Sequence, residues 1–178
     1  MPPPPPAHCI SLNTAAVLTG RSMRTWQRRI EDGLVPRLGD ERGRALVGLD
    51  AVQPALALRL DDAELDLLVR ADQGDAAAQA EVGALFALAA LREADGAAPG
   101  LSGNAVPALH FLARAAEQGQ ADAMHWLGLL HAAGLGEAGD AQALALMWVA
   151  KAAAHGHAIA AQQLAGLLPG AHAAASRP

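Results

Sequence analysis

The sequence predicts a mainly α-helical protein in two modules, a short N-terminal one and a longer one of stacked helix pairs. Three observations carry that expectation. Alanine, the best helix former, supplies 45 of the 178 residues. Aromatics make up 3 % and tyrosine is absent, whereas strands favour β-branched and aromatic side chains, so a β-sandwich or barrel is disfavoured. Glycines also recur after alanine-rich segments in the second half. Small side chains let helices approach closely, which suits stacked pairs better than one bulky core.

Charge divides the chain in the same place. Residues 1–60 carry 8 arginines against 5 acids, a balance of +3, while residues 61–178 carry 5 basic residues against 13 acids, a balance of −8. The basic half is all arginine; the one lysine, Lys151, lies in the acidic half. A single cysteine, Cys9, leaves no intramolecular disulfide framework and no cysteine-based zinc site, which points to the cytoplasm. Met1 followed by Pro2 to Pro6 lacks the basic and apolar regions of a secretory signal, so residues 1–8 read as a Pro-rich extended arm. The most apolar stretch, Ala141 to Leu168, is interrupted by Lys151, His155 and Gly156, and no membrane span is expected.

Within residues 9–58 the elements follow in order. Ile10 to Gly20 predicts a short helix entered at Asn13, with Ala16 and Val17 facing inward and Gly20 ending it. Ser22 caps a second helix whose body is Met23 to Asp32, and Gly33 supplies the left-handed residue that stops it. Trp26 and Ile30, four apart, form its buried stripe, while Arg21, Arg24, Gln27 and Arg28 project elsewhere. Leu34 to Leu38 and Ala45 to Leu49 are extended runs around the polar Gly39 to Arg44, a β-hairpin. Asp50 then caps a third helix from Ala51 to about Arg59. Two short helices joined by a tight turn, the second arginine-rich, are what a DNA-reading helix-turn-helix requires, and the hairpin would be its wing.

The run Leu12 to Pro36 resembles the winged helix-turn-helix of MerR-type and excisionase-type proteins. It has an Ala15-Ala16 first helix, a Ser22-Met23-Arg24-Thr25 opening of the second and an Ile30-Glu31-Asp32-Gly33-Leu34 exit. The resemblance implies DNA contacts at Ser22, Arg24, Thr25 and Arg28, core roles for Trp26 and Ile30, and wing contacts at Arg42 and Arg44. Arg21 and Gln27 complete the candidate DNA-binding set. Guanidinium groups pair bidentately with phosphate or with the guanine edge, and a helix of this size fits the major groove. The chain departs from MerR regulators in lacking the long dimerisation helix and the effector-binding cysteines after the wing, so a metal sensor is disfavoured. Glu31, Asp32, Asp40 and Glu41 dilute the positive field. Docking of a protein on the same surface is therefore the alternative. A lone module with so small a footprint binds weakly, so specificity requires a homodimer or a partner.

Residues 61–169 repeat. Ala115-Ala-Glu-Gln-Gly-Gln-Ala-Asp-Ala123, followed by Leu127-Gly128, recurs as Ala152-Ala-Ala-His-Gly-His-Ala-Ile-Ala160, followed by Leu164-Ala165. It also occurs upstream as Arg70-Ala-Asp-Gln-Gly-Asp-Ala-Ala-Ala78, with Val82-Gly83. Gly74, Gly119 and Gly156 align at spacings of 45 and 37 residues, which predicts three units of helix, glycine turn and helix over about 61–92, 105–137 and 140–168. Ala115, Ala116, Ala121 and Ala123 are small where helices cross; Leu127, Leu130, Leu144 and Trp148 fill what remains. Between Arg92 and Asn104, Gly96, Pro99, Gly100 and Gly103 make a longer connection, and residues 170–178 form a flexible tail.

The run Phe111 to Gly136, continuing through Asp140 to Leu144 and Trp148 to Ala153, resembles Sel1-like repeats, relatives of the tetratricopeptide repeat, over about 100 residues. That resemblance implies an α-solenoid adaptor with a concave groove for a protein partner. The acidic balance suits a partner segment carrying Lys or Arg, although acidity also serves plain solubility. His125, Trp126 and His131 are the exposed candidates for that groove, with Trp126 and Trp148 as inter-helix core the plainer alternative.

Nothing points to an enzyme, a metal site or a cofactor. No two of the seven histidines stand at the i, i+4 spacing that puts two ligands on one helix face. His155 and His157 flank a turn glycine as C-terminal capping cations. Cys9 beside His8 lacks an orienting third group. The expected protein is a non-enzymatic cytoplasmic regulator that binds DNA through one module and a protein through the other, or else a purely protein-binding scaffold.

Overall fold

The computed structural model describes residues 8–40, 43–94, 103–136 and 139–167. The Pro-rich arm before His8, Arg42 of the wing, the glycines and proline of 95–102 and the tail lie outside them. Among the described residues the protein is mainly helical, with one small sheet.

Strand β1 (Cys9–Ser11) leads directly into helix α1 (Leu12–Thr19) and, after Gly20, helix α2 (Met23–Glu31). Strands β2 (Leu38–Gly39) and β3 (Ala45–Gly48) form the expected antiparallel hairpin, pairing Leu38 with Leu46. The sheet order is β1-β3-β2, with Ile10 opposite Val47 and both fully buried. Strand β1 was not expected: three residues carry no period, and their partner lies almost forty positions away. It also moves the cap of α1. Ser11, in extended conformation, accepts the Thr14 amide at 3.2 Å, so Ser11 rather than Asn13 is the N-cap. The buried side of α1 is accordingly Leu12, Thr14, Ala15 and Leu18, while Ala16 and Val17 are half-buried. Ser22 does cap α2, accepting from the Thr25 amide at 3.1 Å, and Gly33 (φ 70°) follows its end. The third helix is shorter and earlier than expected. Helix α3 spans Leu49–Val52 behind Gly48, with Asp50 inside its first turn, and a 3-10 turn at Gln53–Ala55 ends it. Pro54 has no amide hydrogen to continue the α ladder.

Among the described residues six helices follow: α4 (Asp62–Asp72), α5 (Ala76–Ala94), α6 (Ala105–Glu117), α7 (Ala121–Ala132), α8 (Ala141–Ala154) and α9 (Ala158–Leu167). Each packs on the next. Asp61 and Glu64 open α4 with a reciprocal capping box. The three aligned glycines stand at the turns within the pairs, Gly74, Gly119 and Gly156 having φ of 101°, 85° and 90°, a conformation that costs any residue with a Cβ. Phe86, Phe111, Leu112 and Leu130 are fully buried between the helices; Ala115, Ala116 and Ala123 are buried at crossings, and Leu127 beside them. Ala121, Leu144 and Trp148 are only half-buried.

One apolar cluster runs from Ile10 to Ala160, so the two halves share a core. Polar contacts reinforce the junction. The Asp72 carboxylate of α4 accepts the Ser11 amide at 2.9 Å, the Ser11 hydroxyl at 2.6 Å and the Thr14 hydroxyl, while His8 Nε2 lies 2.8 Å from Asp66. Asp72→Ala leaves those three donors without their acceptor. A loss of about 1–2 kcal/mol is expected in urea unfolding, with Asp66→Ala, on an exposed carboxylate, costing less.

Candidate functional site

The arginine-rich face grows from the way α2 is seated. Trp26 is the one fully buried residue of that helix, its indole N–H donating to the Thr19 hydroxyl at 3.3 Å. Anchoring there turns the other side outward, and Arg21, Ser22, Arg24, Thr25, Gln27 and Arg28 are all exposed. Arg24, Gln27, Arg28, Glu31 and Asp32 line one shallow hollow of about 460 Å³. Their spacing of three and four residues puts them on one helix face. Arg28 Nε lies 3.6 Å from Asp32, a loose exposed pair that costs little to exchange for another anion. Arg21 and Arg24 make no ion pair among the described residues. Ser22 and Thr25 also bond each other at 2.9 Å across the cap, so part of their hydrogen-bonding capacity is used locally.

The wing is less available. Arg44 Nε donates to Asp40 at 2.6 Å, and the Arg44 amide donates to the same carboxylate at 2.8 Å, so a guanidinium expected to face phosphate closes the hairpin turn instead. That contact raises the Arg44 pKa. Sequence reading missed Arg29. Its guanidinium lies 5.4 Å from the Trp26 ring, and its Nε is buried without a hydrogen bond, so Arg29 packs where Arg24 and Arg28 are exposed.

The expected groove residues on α7 are placed otherwise. His125 and His131 are buried and Trp126 is half-buried against the core, because α7 is covered on several sides by α5, α6 and α8. His125 belongs instead to a cluster that sequence spacing could not reveal. Its Nε2 lies 3.0 Å from the Gln163 side-chain oxygen of α9, and its ring lies 4.2 Å from that of His157, tilted by 34°. His157 is not a C-terminal cation. Its Nδ1 accepts the Ala160 amide at 3.0 Å at the start of α9, and its Nε2 faces Asp122 at 3.5 Å. His155 does cap the end of α8, with Nδ1 2.9 Å from the Lys151 carbonyl.

Burial lowers the His125 pKa below the usual 6.5, with the Gln163 bond opposing and the neighbouring His157 assisting. Burial and Arg114 lower that of His110. For both groups the unfolded chain binds more protons below pH 6.5, so stability is complete above that pH and falls as the pH drops through it. The expected result is a lower urea midpoint at pH 5 than at pH 7.5, with His125→Gln removing part of the difference and His110 keeping the rest.

Cys9 sits in β1, half-buried; burial and Asp50 push its thiol pKa up, away from the reactive thiolate. Among the described residues no group of three His, Cys, Asp or Glu side chains is placed to hold a metal ion, and no helix is long and apolar enough to cross a membrane. No family model, curated protein or solved structure matches the chain.

Proposed function

We propose that residues 9–58 act as a winged helix-turn-helix that holds duplex DNA against α2, and that residues 61–167 act as a Sel1-like repeat scaffold for a protein partner. The chain is then a cytoplasmic, non-enzymatic regulator whose work is placement. The observation that carries the DNA reading is the exposed face at α2, where Arg21, Arg24 and Arg28 stand clear of the core and, among the described residues, only the last is ion-paired. Phosphate contacts of this kind supply affinity that falls with salt. The aligned glycine turns and close crossings support the repeat reading. With His125 and His131 buried, partner contacts fall to other exposed residues, and Trp126 offers only its exposed edge.

A second reading has its own observation. Met23 at the start of α2 and Leu34 beyond its end are 45 and 67 % exposed, and with Glu31 and Asp32 they suit a protein surface better than a phosphate backbone. Titration of a fluorescent duplex with the full chain at low and moderate salt separates the readings. The DNA reading expects binding that weakens steeply with salt; the docking reading expects none.

A further inference from the structure

Among the described residues, the last helix pair leaves uncovered what the earlier ones cover. Nine residues after the turn glycines stand Gly83, Gly128 and Ala165. A Cβ on Gly83 would meet Leu112 of α6, and one on Gly128 would meet Val149 of α8, each in the first helix of the following pair. Ala165 is exposed, and no helix follows α9 among the described residues. The side chains at matching positions change as well. Between the second and third pairs Trp126 becomes Gln163, Leu112 becomes Val149, and the fully buried Leu130 becomes Leu167, 65 % exposed. The result is an apolar hollow of about 490 Å³ where α7, α8 and α9 meet, with Gly128, Ala145, Val149 and Gln163 in its lining. Its surroundings have turned apolar too: exposed Asp122 is matched by Ile159, 58 % exposed. Ile159, Gln163 and Leu167 form an i, i+4, i+8 stripe on α9, and Leu146, 47 % exposed, lines the hollow from α8.

We propose that this face docks a second copy of the chain, α8 and α9 of one protomer lying against α8 and α9 of its partner about a two-fold axis. Charge identifies the occupant. Residues 141–178 contain no aspartate or glutamate. The α8 cation, Lys151, is not among the hollow's lining residues and lies 4.5 Å from the Trp148 ring. A two-fold contact sets a patch against its own copy, so a charged patch repels itself and this one does not. The same neutrality gives a charged partner nothing to select. Each protomer presents both halves of the contact, since exposed Ile159 stands one turn of α9 before Gln163, which lines the hollow. Continued stacking into a filament is blocked, because α4 at the opposite end carries β1 and His8.

Sedimentation equilibrium of the full chain tests this. The expected mass is twice 18.1 kDa at micromolar concentration. Ile159→Glu with Leu167→Glu, both at exposed positions, raises the dimer dissociation constant by about 100-fold with helical circular dichroism retained. Leu88→Glu, exposed on α5, leaves it unchanged. Should the double variant lose its helical signal, Leu146→Gln gives the same reading. A chain that stays monomeric at high micromolar concentration, or a dimer that tolerates these substitutions, overturns the proposal. The monomer would leave the face to the chain's own C-terminal segment or to an unlike protein.

Discussion

Trp26→Ala is expected to lower the unfolding free energy by about 3–5 kcal/mol, the range for removing a large aromatic from a packed core. The magnitude follows from position. The indole is fully buried, it bonds Thr19 across the α1–α2 turn, and Arg29 packs over its face. Every other residue of α2 is exposed or half-buried, so no second anchor takes over the seating of that helix. Denaturant unfolding checks it, and the shared core predicts one transition for the whole chain. A loss below about 1 kcal/mol would mean that α2 is held by something other than its buried indole.

Gly83→Ala is expected to destabilise by about 2–3 kcal/mol, against the usual sign for this exchange. In a helix interior alanine is ordinarily better than glycine by about 1 kcal/mol. Here the added Cβ would lie 2.6 Å from Leu112 Cγ and 3.0 Å from the Leu112 backbone nitrogen, so α6 itself has to move. Gly128→Ala makes the graded comparison. Its Cβ would meet Val149 Cγ2 at 3.0 Å and the Ala145 carbonyl at 3.3 Å, contacts that a smaller shift relieves. The expected order of unfolding midpoints is native chain, Gly128→Ala, Gly83→Ala. A gain in stability from Gly83→Ala would contradict the close crossing.

These two residues also show what sequence reading reaches. Trp26 declared itself by its place opposite the arginines, and Gly83 by its fixed distance from a turn glycine; both are signals within a few turns of helix. Pro54 was equally local, yet the third helix was drawn through it, against what a missing amide hydrogen allows. What escaped depends on distant pairing. Strand β1 exists because Ile10 meets Val47, and once it forms, Ser11 rather than Asn13 enters α1 as the cap. The His125 and His157 rings meet although they are far apart in sequence, because Gln163 of α9 reaches His125 and His157 faces Asp122 of α7. Arg44 was expected to face phosphate, but a carboxylate four residues earlier claims it. The exposure of Arg24 and Arg28 was legible from helix period alone, whereas the packing of Arg29 on Trp26 was not. The burial of His125 and His131 was not, since α7 is covered from more than one direction and has no polar face.

The most direct test of the central claim is titration of a fluorescent duplex with the native chain and with Arg24→Ala plus Arg28→Ala, at two salt concentrations. Both side chains are exposed and only Arg28 has a loose partner, so the double variant should keep its unfolding midpoint. The account predicts measurable binding at low salt that weakens steeply as salt rises, and about 10–100-fold weaker binding for the variant on every sequence tried. The slope of log affinity against log salt should also become shallower by about 2. Absence of binding at low salt, or a variant that binds as well as the native chain, would contradict it.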